Sequence, residues 1–124
     1  MKEIISITDP EEIQNYIEEK EGVKLILRTN RQESRGKGHP PHYDTGTANH
    51  MLWCAYSAST LLSNDFEGGD FIFLDNEDNI IERYSKDEHY KKTLIYDSTH
   101  KDMVEPHHNG NRIVQLLFWE IRPE

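Results

Sequence analysis

The chain has 124 residues with 23 acidic and 14 basic side chains, which gives a net charge of −9. This balance disfavours a broad surface for nucleic acid or for an anionic membrane, so we expect neither partner. The mean hydropathy is low, at −0.85, yet two Trp, six Tyr and four Phe supply enough apolar surface for a compact core. The length is typical of one domain, and we expect residues 1–124 to form it.

The single cysteine, Cys54, lies in an apolar run (MLWCAY). One cysteine excludes an intrachain disulfide, and its surroundings indicate a small buried residue rather than a reactive thiol. The sequence shows no signal-peptide pattern and no apolar stretch of about 18 residues. We therefore expect a cytoplasmic protein.

The first quarter of the chain predicts a strand, a helix and a second strand. Residues 4 to 7 are apolar and read as the first strand. The helix begins at Thr8 or Asp9, either of which can cap it, and ends near Gly22. Residues 23 to 29 alternate enough to predict the next strand. Residues 30 to 41 have no period and many charges, and we expect a long loop.

The second half of the chain is strand-like throughout. Turn residues such as Ser63-Asn64-Asp65 and residues 75 to 79 separate the apolar segments. Gly68-Gly69 indicates a bulge or a close backbone approach. Many short strands behind one helix predict a mainly β protein, a sandwich or a barrel. The predicted strands cover residues 51–62, 70–74, 80–84, 91–96, 103–105 and 112–121.

The stretch HPPHYDTG carries the most chemistry. His42 and Asp44 stand two residues apart, so their side chains leave the same face of an extended backbone. An imidazole and a carboxylate make up two-thirds of the facial triad of two His and one carboxylate that holds Fe(II). A solvated turn explains an isolated H-x-D equally simply, and the rest of the chain has to separate the two interpretations.

Five segments, in this order, are similar to the 2-oxoglutarate- and Fe(II)-dependent oxygenases. The resemblance is to the prolyl-4-hydroxylase-like group, including small phage and bacterial members, and it spans residues 38 to 121. After the H-x-D come an acidic-aromatic-acidic-Gly-Gly turn, a strand with its following turn, a segment ending in Pro, and a G-x-R. The segments are His42-Tyr43-Asp44, Asp65-Phe66-Glu67-Gly68-Gly69, Thr93 to Ser98, Met103-Val104-Glu105-Pro106 and Gly110-Asn111-Arg112.

The resemblance implies a double-stranded β-helix (jelly roll) with one N-terminal helix. It implies Fe(II) on His42 and Asp44, and 2-oxoglutarate with its distal carboxylate on Arg112, a guanidinium suited to a bidentate grip. The implied activity is hydroxylation of an unknown substrate, for which a prolyl or other peptide residue is one candidate. The reaction consumes O2 and 2-oxoglutarate, and ascorbate is a further candidate cofactor.

The third metal ligand departs from the family pattern. The family has a distal His four residues before the Pro and about ten before the basic residue. Counting back from Pro106 and from Arg112 leads to Asp102 instead. His100 could ligate after a two-residue shift along an extended chain. Asp102 could ligate instead, giving a harder donor set that favours Mn or Mg relative to iron. Otherwise the site is incomplete.

The alternative functions follow from that third position. A catalytically inactive jelly-roll binding module would bind metal weakly or not at all, and a cupin-type metal protein would bind it without help from 2-oxoglutarate.

In the oxygenase interpretation, residues 30 to 41 are the candidate substrate lid. Their Arg31, Arg35 and Lys37 could meet an anionic or peptide substrate, and solvation explains these charges nearly as well. His89, in a charged stretch, is expected at the surface.

Overall fold

The computed structural model describes residues 1–45 and 51–123. In chain order these residues form the following elements: β1 (Lys2–Ile5), α1 (Pro10–Glu21), β2 (Leu25–Glu33), β3 (His39–Tyr43), β4 (Tyr56–Leu61), β5 (Glu67–Gly68), β6 (Phe71–Leu74), β7 (Ile80–Tyr84), α2 (Lys86–His89), β8 (Thr93–Asp97), β9 (Lys101–Val104), β10 (His107–His108) and β11 (Val114–Ile121). The predicted mainly β class is confirmed.

The strands pair into antiparallel sheets that pack as a sandwich. The larger sheet has the order β1-β8-β4-β11-β2, the second has the order β3-β9-β6-β7, and β5 pairs with β10. Aromatic and aliphatic side chains from β6, β8 and β9 fill the space between the two larger sheets. They are Phe71, Phe73, Leu94, Tyr96 and Val104.

Helix α1 covers the outer face of the larger sheet. Asp9 caps it, because its carboxylate accepts a hydrogen bond from the Glu12 N–H at 3.1 Å. Gly22 ends it in the left-handed conformation, with φ of 66°. Both predicted helix ends are thereby confirmed. The buried face of the helix, Ile13 and Ile17, packs on β4, β8 and β11.

The expected loop over residues 30 to 41 is mostly strand. β2 continues to Glu33, and β3 begins at His39, so only residues 34 to 38 connect them. Both strands lie at the edge of their sheets, where one side of the backbone pairs and side chains stay exposed. Such a strand does not need apolar alternation, and this explains why the sequence pattern was misleading. Pro40 and Pro41 are accommodated because an edge strand tolerates a missing N–H.

The structure contains a second, short helix, α2, where the sequence predicted only one helix. The expectation that His89 lies at the surface is also wrong. α2 begins at a capping box in which Ser85 and Glu88 satisfy each other's backbone groups. His89 ends this helix and is 1% exposed. Its Nε2–H donates to the Ser59 carbonyl oxygen at 2.8 Å, which satisfies the buried ring. No helix in the described ranges is long and apolar enough to span a membrane.

Candidate functional site

The smaller sheet places three potential metal ligands side by side. In the pairing of β3 with β9, His42 lies directly opposite Asp102, and on its other side Asp102 lies opposite Phe73 of β6. Asp44 follows the last residue of β3 and points the same way as His42, as the H-x-D spacing predicts. The site is therefore built on paired strands rather than on a free loop.

The three side chains lie within coordination distance of one common point. The Nε2 atom of His42 is 3.1 Å from Oδ1 of Asp44 and 3.4 Å from Oδ1 of Asp102. One ligand atom from each residue lies within 4.8 Å of the other two. The carboxylates are buried while the imidazole is partly exposed, and the second Asp102 oxygen has no hydrogen-bond partner among the described residues. This cluster can hold a divalent cation.

The His42 ring is oriented for coordination through Nε2. Its Nδ1–H donates to the Pro40 carbonyl oxygen at 2.7 Å, so Nε2 is the nitrogen that points into the cluster. Burial lowers the pKa of His42, but the hydrogen bond to Asp44 and the charge of Asp102 outweigh it and raise that pKa to about 9. Without a cation, the imidazolium thus supplies the positive charge that the two carboxyl groups need.

The pKa values of the two carboxyl groups shift in opposite directions, although burial acts to raise both. Burial and the charge of Asp44 raise the pKa of Asp102 well above its usual value. Burial also acts to raise the pKa of Asp44, but hydrogen bonds from His42 and Tyr96 hold it below the usual value. The Tyr96 hydroxyl, from β8, donates to Oδ2 of Asp44 at 2.8 Å. Two neighbouring buried carboxyl groups cannot both be ionised cheaply unless a cation joins them.

A cavity of about 720 Å³ opens beside this cluster and contains Arg112 in its wall. Arg112 is 5% exposed. Its Nε and Nη2 atoms have no hydrogen-bond partner among the described residues. Burial lowers the pKa of this guanidinium to about 10 despite the charges of Asp70 and Glu33. A buried guanidinium with unpartnered N–H groups that faces a cavity can bind an anion there.

Two neighbours hold the Arg112 segment in place. Gly69 has φ of +70°, and a Cβ there would lie 2.8 Å from Cδ of Arg112, so the second glycine of the Gly-Gly turn leaves the room for this side chain. The backbone N–H of Arg112 donates a hydrogen bond to Nε2 of His107 at 3.2 Å. Sequence reasoning did not assign that role to His107.

His100 lies apart from the three clustered side chains. It stands in the turn before β9, where its Nε2 is 3.8 Å from Asp97 and its ring packs edge-on against Phe73. The extended conformation that would align it with Asp102 begins only at Lys101. Of the residues singled out in the sequence, the structure thus brings together His42, Asp44, Asp102 and the wall residue Arg112, and it leaves His100 outside.

Searches of family models and of curated proteins found no match to this chain. Solved structures with the same fold do exist. One is a 2OG-Fe(II) oxygenase family oxidoreductase from Burkholderia pseudomallei, with a TM-score of 0.69 and 14% identity over 86% of this chain and 51% of that one. Another is a prolyl-4-hydroxylase from Pseudomonas putida, with a TM-score of 0.62 and 12% identity over 98% of this chain and 72% of that one. The chain thus spans about half the length of the first structure. The predicted resemblance is confirmed at the level of the fold.

Proposed function

We propose that this protein is a 2-oxoglutarate- and Fe(II)-dependent oxygenase of double-stranded β-helix topology that hydroxylates its substrate. The observation that carries the proposal is the sharing of one cavity by a potential metal cluster and an unsatisfied arginine. His42, Asp44, Asp102 and Arg112 all line it. A single cavity can therefore hold a metal ion and an anion together, and the similar fold of known oxygenases supports this assignment.

The donor set fits a divalent cation. Two buried carboxyl groups beside one imidazole would be neutralised by a doubly charged ion, and an orphaned oxygen of Asp102 would gain a partner. We propose Asp102 as the third ligand in place of the histidine of the family pattern. This replacement makes the site harder and more anionic, so we expect Mn(II) to bind at least as readily as Fe(II).

Arg112 fits the distal carboxylate of 2-oxoglutarate. Its two unpartnered nitrogens, Nε and Nη2, lie on one edge of the guanidinium and can donate two parallel hydrogen bonds. The guanidinium is buried, and Val114 and Leu116 from β11 line the same cavity. Water competes weakly for an ion pair in such surroundings, which strengthens the grip on a dicarboxylate.

Around a bound metal, the residues of the chain would hold and orient the reactants. The Pro40 carbonyl fixes the His42 ring, and the Tyr96 hydroxyl fixes Asp44. Fe(II) would supply the redox chemistry: O2 and 2-oxoglutarate yield succinate and CO2, while the substrate C–H bond becomes C–OH. His42 is partly exposed and lines the cavity, so a substrate in the cavity would lie beside the metal.

The test is succinate formation in air from Fe(II) and 2-oxoglutarate, followed by proton NMR. We expect the wild-type protein to form succinate and Arg112→Gln to require at least tenfold more 2-oxoglutarate. Arg83→Gln is the matched control, because Arg83 pairs with Asp70 and Glu105 on the surface. Metal-loaded protein that forms no succinate would refute the oxygenase proposal.

One observation favours a second candidate, a metal protein without oxygenase activity. The candidate ligands are two carboxylates and one imidazole, whereas the facial triad has one carboxylate and two imidazoles. A donor set richer in carboxylates is more typical of sites for redox-inert cations. This candidate predicts that Mg(II) or Mn(II) binds and that 2-oxoglutarate does not tighten the binding. Succinate formation would exclude it.

A further inference from the structure

The cavity extends past Arg112 along the paired strands β2 and β11. In that pairing Arg31 lies opposite Leu116. The guanidinium carbon of Arg31 is 5.9 Å from the ring centre of Phe118, so the planar cation lies near the aromatic ring. Arg31, Leu116 and Phe118 line the cavity, and Arg35 lies just beyond the end of β2 in the same wall. We call Arg31 and Arg35 the rim arginines.

Among the residues that the structure describes, the rim arginines have no acidic partner. Arg28, on the same strand, is 3.0 Å from Glu120, and Arg83 bridges two carboxylates. Within the described ranges, no carboxylate lies within 4 Å of either rim arginine, although the chain has 23 acids. Arg35 instead contacts Nδ1 of His39 at 3.2 Å. Both rim arginines are exposed cations that share one cavity with the buried Arg112, and this arrangement favours an anionic ligand.

Two other charged residues of the wall have contacts of their own. Glu33, the acid of the same strand, lies 3.4 Å from Nε2 of His39. Lys101 pairs with Asp78 of the β6–β7 turn. In the proposed function, the metal joins the two aspartates and the distal carboxylate of 2-oxoglutarate pairs with Arg112. The rim arginines then remain as cations of the cavity wall that have no carboxylate partner among the described residues.

We propose, on the basis of the proposed function, that the rim arginines bind a carboxylate or phosphate group of a small-molecule substrate. Leu116 and Phe118 contact the apolar part of that substrate. A cavity of about 720 Å³ lies within the usual range for drug-sized ligands, so it has room for more than 2-oxoglutarate. The substrate class is therefore an anionic molecule with an apolar portion between its charge and the reacting carbon.

The experiment is calorimetric titration of protein loaded with Mn(II) and 2-oxoglutarate. Phenyl phosphate and benzoate are the anionic probes, and benzamide is the uncharged probe of similar shape. We expect at least one anion to bind at least tenfold more tightly than benzamide. Arg31→Gln and Arg35→Gln should each weaken that binding about tenfold, the loss of one charge-assisted contact. Comparing the two anions shows whether the site prefers phosphate or carboxylate.

Arg28→Gln is the matched control, since Arg28 lies on the same strand but pairs with Glu120. It should leave anion binding within twofold of wild type, and all three variants should bind 2-oxoglutarate normally. Equal binding of benzamide and both anions would overturn the proposal. If Arg28→Gln weakened anion binding as much as the rim variants do, the effect would come from overall charge, and this would also overturn the proposal. Loss of 2-oxoglutarate binding in Arg31→Gln would overturn it too, because it would place the co-substrate on Arg31. If wild type discriminates anions yet fails to bind 2-oxoglutarate, the proposed function fails while the anion site stands.

Discussion

The two faces of the larger sheet use the same strands for different purposes. On the outer face, Leu117 and Trp119 of β11 pack against Ile13 and Ile17 of α1, and all four are fully buried. On the inner face, Val114, Leu116 and Phe118 alternate with them along the same strand and line the cavity. One strand therefore builds a closed core on one side and the wall of a cavity on the other.

The two faces differ most in how they treat polar atoms. Under α1, the Trp119 Nε1–H donates to Gln14 at 3.1 Å, and the Gln14 amide donates to the Leu25 carbonyl at 3.0 Å. Among the described residues, the buried atoms without hydrogen-bond partners lie on Glu33, Asp102 and Arg112 of the cavity wall and on His107, which contacts the Arg112 backbone. Buried polar groups are normally satisfied, so this concentration of exceptions at one cavity indicates that a ligand completes them. The α1 face thus holds satisfied polar groups, whereas the cavity face holds groups that a ligand could satisfy.

The largest expected effect is on the closed face. Trp119→Ala should lower the free energy of unfolding by about 3–5 kcal/mol, because it removes a fully buried indole and leaves a cavity. Denaturant unfolding measures the change. Ile121→Ala is the control, since Ile121 lies on the same strand but is 49% exposed. A loss of similar size in the control would contradict the assignment of the core to the α1 face.

The burial of His89 predicts that the free energy of unfolding depends on pH. Burial lowers the pKa of this histidine to about 4, from about 6.5 in the unfolded chain. Between these values the unfolded chain binds more protons than the folded one, so stability falls as the pH falls from 6.5 to 4. The full loss is about 3 kcal/mol, and above pH 6.5 this contribution is constant.

Denaturant unfolding of wild type and His89→Gln at several pH values checks this. The glutamine amide can still donate to the Ser59 carbonyl but does not titrate. We expect a flatter pH dependence in the variant between pH 6.5 and 4. Parallel curves for the two proteins would show that His89 does not remain neutral in the fold.

The smallest expected change in stability is an increase rather than a loss. Arg112→Met should raise the free energy of unfolding of the ligand-free protein by about 1–3 kcal/mol, because it removes a buried, incompletely satisfied cation. The same change should abolish the thermal stabilisation by 2-oxoglutarate. Thermal unfolding with and without the dicarboxylate measures both. A destabilised variant would mean that Arg112 serves the fold rather than a ligand.

The sequence was most informative where local chemistry determines structure. Asp9 and Gly22 end α1 as predicted, since capping depends on single residues. The spacing of the H-x-D brought His42 and Asp44 together because adjacent strand positions alternate between faces. The family resemblance made Asp102 a candidate through its spacing from Pro106 and Arg112, with His100 as the alternative, and the strand pairing that sets Asp102 opposite His42 is visible only in the structure.

The missed features depend on tertiary context. β2 extends through polar residues to Glu33 because it pairs with β11 along its whole length, and an edge strand carries no apolar signature. His89 is buried by a short helix whose Ser85–Glu88 capping box was present in the sequence and could have indicated it. His100 stands outside the cluster because a turn, rather than a strand, precedes Lys101.

The central claim is that Asp102 completes a metal site that works with 2-oxoglutarate. The most direct test is anaerobic calorimetric titration of Fe(II) and Mn(II), with and without 2-oxoglutarate, into wild type, Asp102→Ala and His100→Ala. We predict that 2-oxoglutarate tightens metal binding to wild type, that Asp102→Ala weakens it at least tenfold, and that His100→Ala changes it less than twofold. Loss of binding in His100→Ala with Asp102→Ala unaffected, or metal binding indifferent to 2-oxoglutarate, would contradict the claim.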